Sequence, residues 1–330
     1  MRVFTSYSDV PVDLIGSALA LGNFDGVHVG HQAVIGTAKQ IADKEKVPSV
    51  VMSFSPHPRR YFRPDDPCFE LTPGVFKARP IAQLGIDALF SIPFDSHLAG
   101  MAAENFIEQV LVSELRISHV VAGYDFVFGK GRQGNLALLE KMGKKYGFGT
   151  SIVDAVHPKN KDLPPISSTL IRKYLRAGRV KDASRLLGRN WEIEGEVVAG
   201  EQRGGKIGFP TANISLGNFL HPAFGVYACW VAVCDGEKSE LRKGVVNIGR
   251  RPTFDGEGVT VEAHLFDFDA NLYGKVLRVI LASFIRPEVT FDGIDEIRTQ
   301  ITKDCSEALS ILNANSTPYI DLDSGVVFNE

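Results

Sequence analysis

The chain predicts two folds in tandem: an α/β domain with a parallel sheet covered on both faces, then an all-β antiparallel barrel or sandwich closed by a terminal helix. Three observations carry this. From residue 1 to about 186, short apolar runs alternate with helical patterns; around Gly188-Arg189-Asn190 the rhythm changes to closely spaced β-branched runs between Gly and Pro turns; and one helical-period segment ends the patterned part. A length of 330 residues suffices for about two separate cores, expected at 1–186 and 187–330.

In the first part the apolar runs at 17–21, 49–54, 88–92, 119–122 and 150–153 read as strands. The periodic stretches 31–44, 103–115, 136–146 and 168–175 read as helices between them. That alternation places ligands at the carboxyl ends of the strands. In the second part 191–199, 225–234, 243–248, 260–266 and 276–284 read as strands, and a helix over 294–312 starts near Asp292 and Asp295. The tail from Asn313 has little pattern, and there is no internal repeat or low-complexity tract.

Composition narrows the function. A hydrophobic share of 44% with 32 glycines and 17 prolines describes a turn-rich globular protein, and a net charge of −3 gives no electrostatic case for nucleic acid as a partner. Lys and Arg concentrate at 59–60, 130–132, 172–189 and 250–251, which suits a phosphorylated small molecule, a solvated charged face being the plainer alternative. Residues 1–10 are polar and carry no secretory signal pattern, and no run approaches the ~18 apolar residues that span a bilayer. Cys68, Cys229, Cys234 and Cys305 show no Cys-x-x-Cys pairing, so reduced thiols and a cytoplasmic location are expected.

The chemistry-bearing stretch of the first part is Gly22-Asn23-Phe24-Asp25-Gly26-Val27-His28-Val29-Gly30-His31-Gln32. A strand, a tight glycine loop and a helix start put His28 and His31 beside backbone N–H groups and a dipole that favour an anion. Gly26 and Gly30 let the backbone approach a ligand, and the imidazoles can donate to phosphate oxygens as charge builds up on them. A bare His-x-x-His is also compatible with a surface pair or a metal site, but a zinc helix of the His-Glu-x-x-His kind needs a glutamate and a third ligand.

Three further segments can meet this loop. Ser53-Phe54-Ser55-Pro56-His57-Pro58 ends a strand with surfaces that suit a flat ring, and Gly123-Tyr124-Asp125-Phe126-Val127-Phe128-Gly129 surrounds a carboxylate with aromatics; core packing at a strand end explains either one alone. In Ile166-Ser167-Ser168-Thr169-Leu170-Ile171-Arg172, Ser167 or Ser168 caps a helix, offering an anion site, with Arg172 about one turn along.

In the second part Gly204-Gly205-Lys206-Ile207-Gly208-Phe209-Pro210-Thr211-Ala212-Asn213 reads as a flexible glycine loop that can drape N–H groups over phosphates, or as a plain hairpin loop. Thr211 and Asn213 alternate on an extended chain, so their oxygens face one way and suit Mg2+ together with nucleotide phosphates. In the strand 259–265, alternation puts Thr260, Glu262 and His264 on one face and Val261, Ala263 and Leu265 on the other.

Taken together, these stretches resemble the bacterial bifunctional riboflavin kinase/FAD synthetase family. Gly22 to His31, Ser53 to Pro58, Gly123 to Gly129 and Ile166 to Arg172 resemble its FMN adenylyltransferase module. Gly208 to Asn213, Phe224-Gly225-Val226-Tyr227, Asn247-Ile248-Gly249-Arg250-Arg251-Pro252-Thr253 and Val261-Glu262-Ala263-His264 resemble its riboflavin kinase module. The resemblance implies a Rossmann-like nucleotidyltransferase domain followed by an antiparallel β-barrel kinase domain with a C-terminal helix. It implies riboflavin, FMN and ATP as substrates, FAD as product, and Mg2+.

It further implies Glu262 as the kinase base and His28 and His31 as catalytic in adenylyl transfer. ATP is expected at Gly22, Asn23, Phe24, Asp25, Gly26, Ser167, Ser168 and Arg172, and flavin at Phe54, Pro56, His57, Pro58, Asp125 and Phe128. In the kinase module ATP is expected at Gly204, Gly205, Lys206, Gly208, Pro210 and Asn247, and the metal at Thr211 and Asn213. Two other readings stay open at this point: an adenylyltransferase for a different phosphorylated acceptor whose barrel only binds, and a flavin-binding regulator without turnover. Oligomeric state is not readable from the sequence.

Overall fold

A computed structural model of the chain describes residues 1–158, 164–199, 203–235, 238–253, 256–315, 317–318 and 327–328. The described residues within Met1–Asp66, Thr72–Ser168 and Ser324–Glu330 form one compact unit, and those within Pro67–Leu71 and Thr169–Asp323 form a second.

The first unit is built on a parallel sheet of seven strands, β1 Arg2–Phe4, β2 Ala18–Leu21, β3 Ser49–Ser55, β4 Ala88–Pro93, β5 His119–Gly123, β6 Gly149–Val153 and β13 Val327–Phe328. Their order is β13-β1-β4-β3-β2-β5-β6, with every pairing parallel. Because strand side chains alternate, Leu19, Leu21, Val50, Met52, Phe90 and Val120 join one core cluster while Ala20, Val51, Leu89 and Val121 join another. Both faces are therefore covered, as expected of parallel sheets. Each fully buried Val, Leu, Ile or Phe stabilises this arrangement by about 1.5–3 kcal/mol relative to exposure.

β2 has β3 on one side and β5 on the other. The loops leaving the carboxyl ends of these three strands are the histidine loop and the segments starting at Ser53 and Gly123, so the topology alone gathers all three. The helix after the histidine loop, Val29–Glu45, buries Val34, Ile35, Ala38 and Ala42, and Lys46 in the left-handed region ends it.

Several expectations are corrected here. The helix expected over 103–115 is α-helical only at Ala103–Asn105 and winds as a π-helix over Phe106–Glu114, a wider turn that carries Phe106, Ile107, Val110 and Leu111 all into the core. A helix at Val180–Leu187 lay hidden just before the change of rhythm; it buries Val180, Ala183, Leu186 and Leu187. The tail, patternless as sequence, contributes β13, whose Val327 and Phe328 pair with Arg2 and Val3 of β1.

In the second unit, β7 Glu192–Val198, β8 Ala212–Ser215, β9 Gly225–Asp235, β10 Lys238–Thr253, β11 Gly256–Leu265 and β12 Val276–Pro287 close into a barrel of order β10-β11-β8-β7-β12-β9. All its pairings are antiparallel. Of the two folds expected for this half, the closed barrel is the one adopted. The terminal helix Ile294–Ala314 lays Ala308 and Leu312 on Val226, Ala228, Trp230 and Val245 on the outside of the barrel. Arg286 on β12 clasps Asp304 of that helix through two atoms, Nε to Oδ1 at 2.9 Å and Nη2 to Oδ2 at 2.6 Å, and Gln300 donates to the same carboxylate at 2.8 Å.

The segment Pro67–Leu71 belongs to this second unit. Glu70 bridges Phe219, and the carbonyl of Leu71 accepts the indole N–H of buried Trp191 at 2.9 Å. The glycine stretch expected to be a flexible loop is a short helix, Arg203–Lys206, followed by turns in which Ile207 and Phe209 both donate to the Gly204 carbonyl. Gly204 is required there, since a Cβ would lie 2.3 Å from the Phe209 carbonyl oxygen. Among the described residues no helix is long and apolar enough to cross a membrane.

Candidate active sites

The histidine loop is held in a conformation that its residues would not choose. Phe24 and Val27 have φ of 47° and 43°, and Gly26 has 87°. For non-glycine residues, above all the β-branched Val27, such values cost about 1–3 kcal/mol each and persist only where surroundings over-determine them.

The surroundings do so. Thr72 donates its N–H to Asp25 Oδ1 at 3.0 Å while its Oγ1 accepts from Gly26 N–H at 2.8 Å. Gln32 donates to the Val27 carbonyl at 2.9 Å, and Ser168 Oγ donates to the Asp25 carbonyl at 2.9 Å. Lys77, only 1% exposed, donates to the Asn23 carbonyl at 2.8 Å and to Ser53 Oγ at 2.9 Å.

At the end of this loop His28 caps the helix, its Nδ1 accepting from the His31 N–H at 3.2 Å. With Nδ1 occupied as an acceptor, the neutral ring carries its proton on Nε2, where it can be donated to a ligand. The two imidazoles stack with centroids 3.6 Å apart and planes 16° from parallel, and the Phe24 ring meets His31 edge-on at 5.3 Å. Gly30 leaves room for this stack, because a Cβ there would lie 3.0 Å from His28 Cε1 and the ring would have to give by a few tenths of an ångström. Strained loop, helix N-terminus and paired imidazoles make a preorganised anion site.

The other expected residues are distributed unevenly. Asp25 and Ser168 lie in the loop's network, and Ser167 immediately precedes the helix Ser168–Arg176. Arg172 donates Nε–H to the Phe69 carbonyl at 2.8 Å, with its guanidinium 5.2 Å from the Phe69 ring, both in the second unit. Phe54 and Phe128 are core residues; Phe54 packs edge-on to Phe94 at 5.9 Å and Phe128 stacks on Phe126 at 5.6 Å.

His57 caps the short helix Pro58–Phe62, and Pro56 before it is joined to Ser55 by a cis bond. Asp125 is exposed. The exposed aromatic surface nearby is instead Tyr61, Phe62 and Tyr124. Sequence reasoning passed over Tyr61, Phe62 and Thr72, which stand in no motif, and assigned no role to Tyr124 within Gly123 to Gly129 or to Lys77.

On the barrel, Glu262 of β11 stands in register between Asn213 of β8 and Asn247 of β10. Val261 and Ala263 on either side of Glu262 are fully buried in the barrel, so Glu262 faces outward. Asn247 is two residues from Val245, which the terminal helix covers, so the row Asn213, Glu262, Asn247 lies on the same outer face as that helix.

Thr211 immediately precedes β8, and Ala212 and Ile214 point inward, leaving Thr211 and Asn213 on the outer side. The Pro210 carbonyl is 2.7 Å from His264 Nδ1, and the Phe209 ring packs edge-on to the same imidazole at 5.6 Å. These contacts bring the short helix with Gly204 and Gly205, and the turn at Gly208, toward the face that carries Glu262. Lys206 lies in that helix, its side chain outside the described part. Glu288, unmentioned by any motif, fills the space over Gly249, where a Cβ would meet its Oε1 at 1.9 Å. Asn247 Nδ2 lies 3.4 Å from the same oxygen.

Residues 11–170 match the FAD synthetase family model and residues 187–312 the riboflavin kinase model. The bifunctional riboflavin kinase/FMN adenylyltransferase of Haemophilus influenzae is 39% identical over 301 residues, 91% of this chain and 96% of its own length. The chain belongs to the bifunctional riboflavin kinase/FMN adenylyltransferase family. The enzyme of the same description from Bacillus subtilis is 40% identical over 89% of this chain and 92% of its own, and that from Escherichia coli K12 is 39% identical over 88% and 90%.

A crystal structure described as a macrolide-efflux protein from Streptococcus pneumoniae matches with a TM-score of 0.80 and 29% identity, covering 95% of this chain and 99% of that one. As a member of the family, the chain is a bifunctional enzyme. Its C-terminal part is a riboflavin kinase and its N-terminal part an FMN adenylyltransferase, with riboflavin, FMN and ATP as small-molecule substrates.

Proposed function

We propose the following division of labour among residues. The stacked His28 and His31 stabilise charge on the α-phosphate of ATP while a phosphate oxygen of FMN, already anionic, attacks it and pyrophosphate leaves. Gly22 to Gly26 with Ser167, Ser168 and Arg172 hold the ATP, and the segments at Phe54 to Pro58 and Asp125 to Phe128 bound the flavin side. Residues 1–186 are proposed as the adenylyltransferase piece and 187–330 as the kinase piece.

On the barrel Glu262 takes the proton of the riboflavin 5′-hydroxyl as it attacks the γ-phosphate of a second ATP, for which a positioned base is worth roughly 10²- to 10⁴-fold. Gly204, Gly205, Lys206, Gly208, Pro210 and Asn247 line the ATP. Thr211 and Asn213 offer a hydroxyl and an amide oxygen, hard donors of the kind Mg2+ takes together with phosphates, and the ion when bound neutralises phosphate charge. Four free cysteines fit a reducing compartment, and we place the enzyme in the cytoplasm.

The observation that carries the kinase assignment is the register row, in which one carboxylate stands between two amides on an outward face. Its test is Glu262→Gln, one preparation assayed with riboflavin and with FMN, each with Mg-ATP. Riboflavin phosphorylation should lose most of the about 10²- to 10⁴-fold base contribution while FAD formation from added FMN continues near the wild-type rate. Near-normal FMN formation would sink the role of Glu262, and equal loss of both activities would indicate a folding defect or a shared site.

A further inference from the structure

We propose that Thr72 is a positioning residue for adenylyl transfer, its hydroxyl and N–H holding the turn at Asp25 and Gly26 in the conformation that delivers His28 and His31 to the helix start. The inference rests on the assignment of the His28/His31 loop to that reaction. Thr72 stands in no motif, lies 46 residues from Gly26 in the chain and is 6% exposed.

Thr72 meets the loop through two bonds of opposite sense. Its N–H donates to Asp25 Oδ1 at 3.0 Å, and its Oγ1 accepts from the Gly26 N–H at 2.8 Å. Asp25 and Gly26 are neighbours, so the peptide unit joining them is gripped from a side chain and from its own N–H. Thr72 itself has little freedom. Its β-branched side chain is stiff at χ1, and Pro73 after it restricts its backbone to extended conformations.

The turn so held is the strained one, with Gly26 at φ 87° and Val27 at 43°. Val27 donates its N–H to the Phe24 carbonyl at 3.1 Å, and His28 follows it directly. One residue therefore separates the gripped peptide from the first imidazole. Ser168 and Gln32 also hold the loop, but at the Asp25 and Val27 carbonyls. A carbonyl accepts over a broad range of directions, whereas an N–H points along one line, so the Thr72 oxygen sets the plane of the Gly26 peptide more tightly. Removing the acceptor of a buried N–H costs free energy of the same order as the strain in the turn. Without the hydroxyl the turn can relax, and the imidazoles move with it.

The test uses the full chain. Thr72→Val keeps the volume, the branching and the N–H donor while removing the acceptor. It should lower kcat for FAD formation from FMN by at least about tenfold with little change in KM for ATP, while riboflavin phosphorylation in the same sample stays near wild type. Thr72→Ser, which keeps the hydroxyl, should restore most of the rate. Ser49→Ala is the control: it removes another buried hydroxyl, bonded to Asp87 at 2.7 Å at the start of β3, and should leave FAD formation near wild type.

An undiminished kcat in Thr72→Val overturns the proposal, as does a loss confined to KM, an equal loss in Thr72→Ser, or an equal loss in Ser49→Ala. If Thr72→Val fails to fold, Thr72→Ala takes its place against Thr72→Ser with the same outcomes, and loss of both reactions in a folded variant also counts against the proposal. His28→Ala/His31→Ala is run in parallel. Full FAD formation in that double variant means the assignment of the loop has failed, whereas its loss beside a normal Thr72→Val means only the inference about Thr72 has failed.

Discussion

Val27 at φ 43° next to Gly26 at 87° is a local cost that the fold accepts in order to present two stacked imidazoles at a helix start. Removing both rings, in His28→Ala/His31→Ala, should lower FAD formation by at least about a hundredfold, since one preorganised donor alone is worth about 2.7–4 kcal/mol, and FMN made from riboflavin should accumulate. Product analysis by chromatography checks this. Gly30→Ala separates stability from geometry. Alanine gains about 1 kcal/mol over glycine in a helix, but its Cβ must displace the His28 ring, 3.0 Å away. Thermal stability should hold or rise while FAD formation falls, and a rate unchanged from wild type would show that the stack has no kinetic role. The histidines and Glu262 were legible because their neighbours form a spaced pattern. Thr72 and Lys77 were not, since they act across 46 to 54 residues of sequence on backbone oxygens and N–H groups that any residue offers.

Among the elements, the terminal helix is held to the barrel by an ion pair as well as by packing. Asp304 is 3% exposed and accepts from both Arg286 and Gln300. Arg286→Gln leaves that carboxylate short of its cation, and the loss should approach the lower end of the about 3–5 kcal/mol typical of a broken buried pair. Urea unfolding of the kinase unit, followed with riboflavin kinase activity, measures it. At the start of β5, His119 contacts Ser151 at 2.9 Å under a close-packed Gly149, and burial holds its pKa below the usual 6.5, with Glu45 opposing weakly. A lowered folded pKa means that the unfolded chain takes up the proton first. The stability contribution is therefore complete above 6.5 and is lost as pH falls below that value toward the folded pKa. Thermal unfolding from pH 8 to 5 should show this fall in the wild type and a flatter curve in His119→Gln.

At the scale of the whole molecule, two chemistries occupy one chain, and a fragment of residues 1–186 should convert FMN to FAD but leave riboflavin untouched. The fragment pays for its independence at Pro67–Leu71, which belongs to the second unit. Phe69 and Leu71 are fully buried, and Leu71 loses the Trp191 indole when the chain stops at 186. Exposing side chains worth about 1.5–3 kcal/mol each should lower the unfolding temperature of the fragment below that of the same sheet in the full chain, by calorimetry. A folded fragment without adenylyl transfer would show that this reaction needs residues beyond 186.

By itself the sequence determined the two fold types, most of the strands and helices in their order, and the candidate reactive loops. Each of these is written in short-range periodicity or in motifs a few residues long. The barrel was expected, but only the tertiary structure decided the register of its strands, which places Glu262 between Asn213 and Asn247 from two other strands. It also decided that Phe54 and Phe128 lie in the core cluster, that Glu288 occupies the space over Gly249, and that the chain's last described strand completes the first sheet beside β1. The reason is the same in each case: register, burial and buried hydrogen bonds join residues far apart in the chain, and no local pattern encodes the partner.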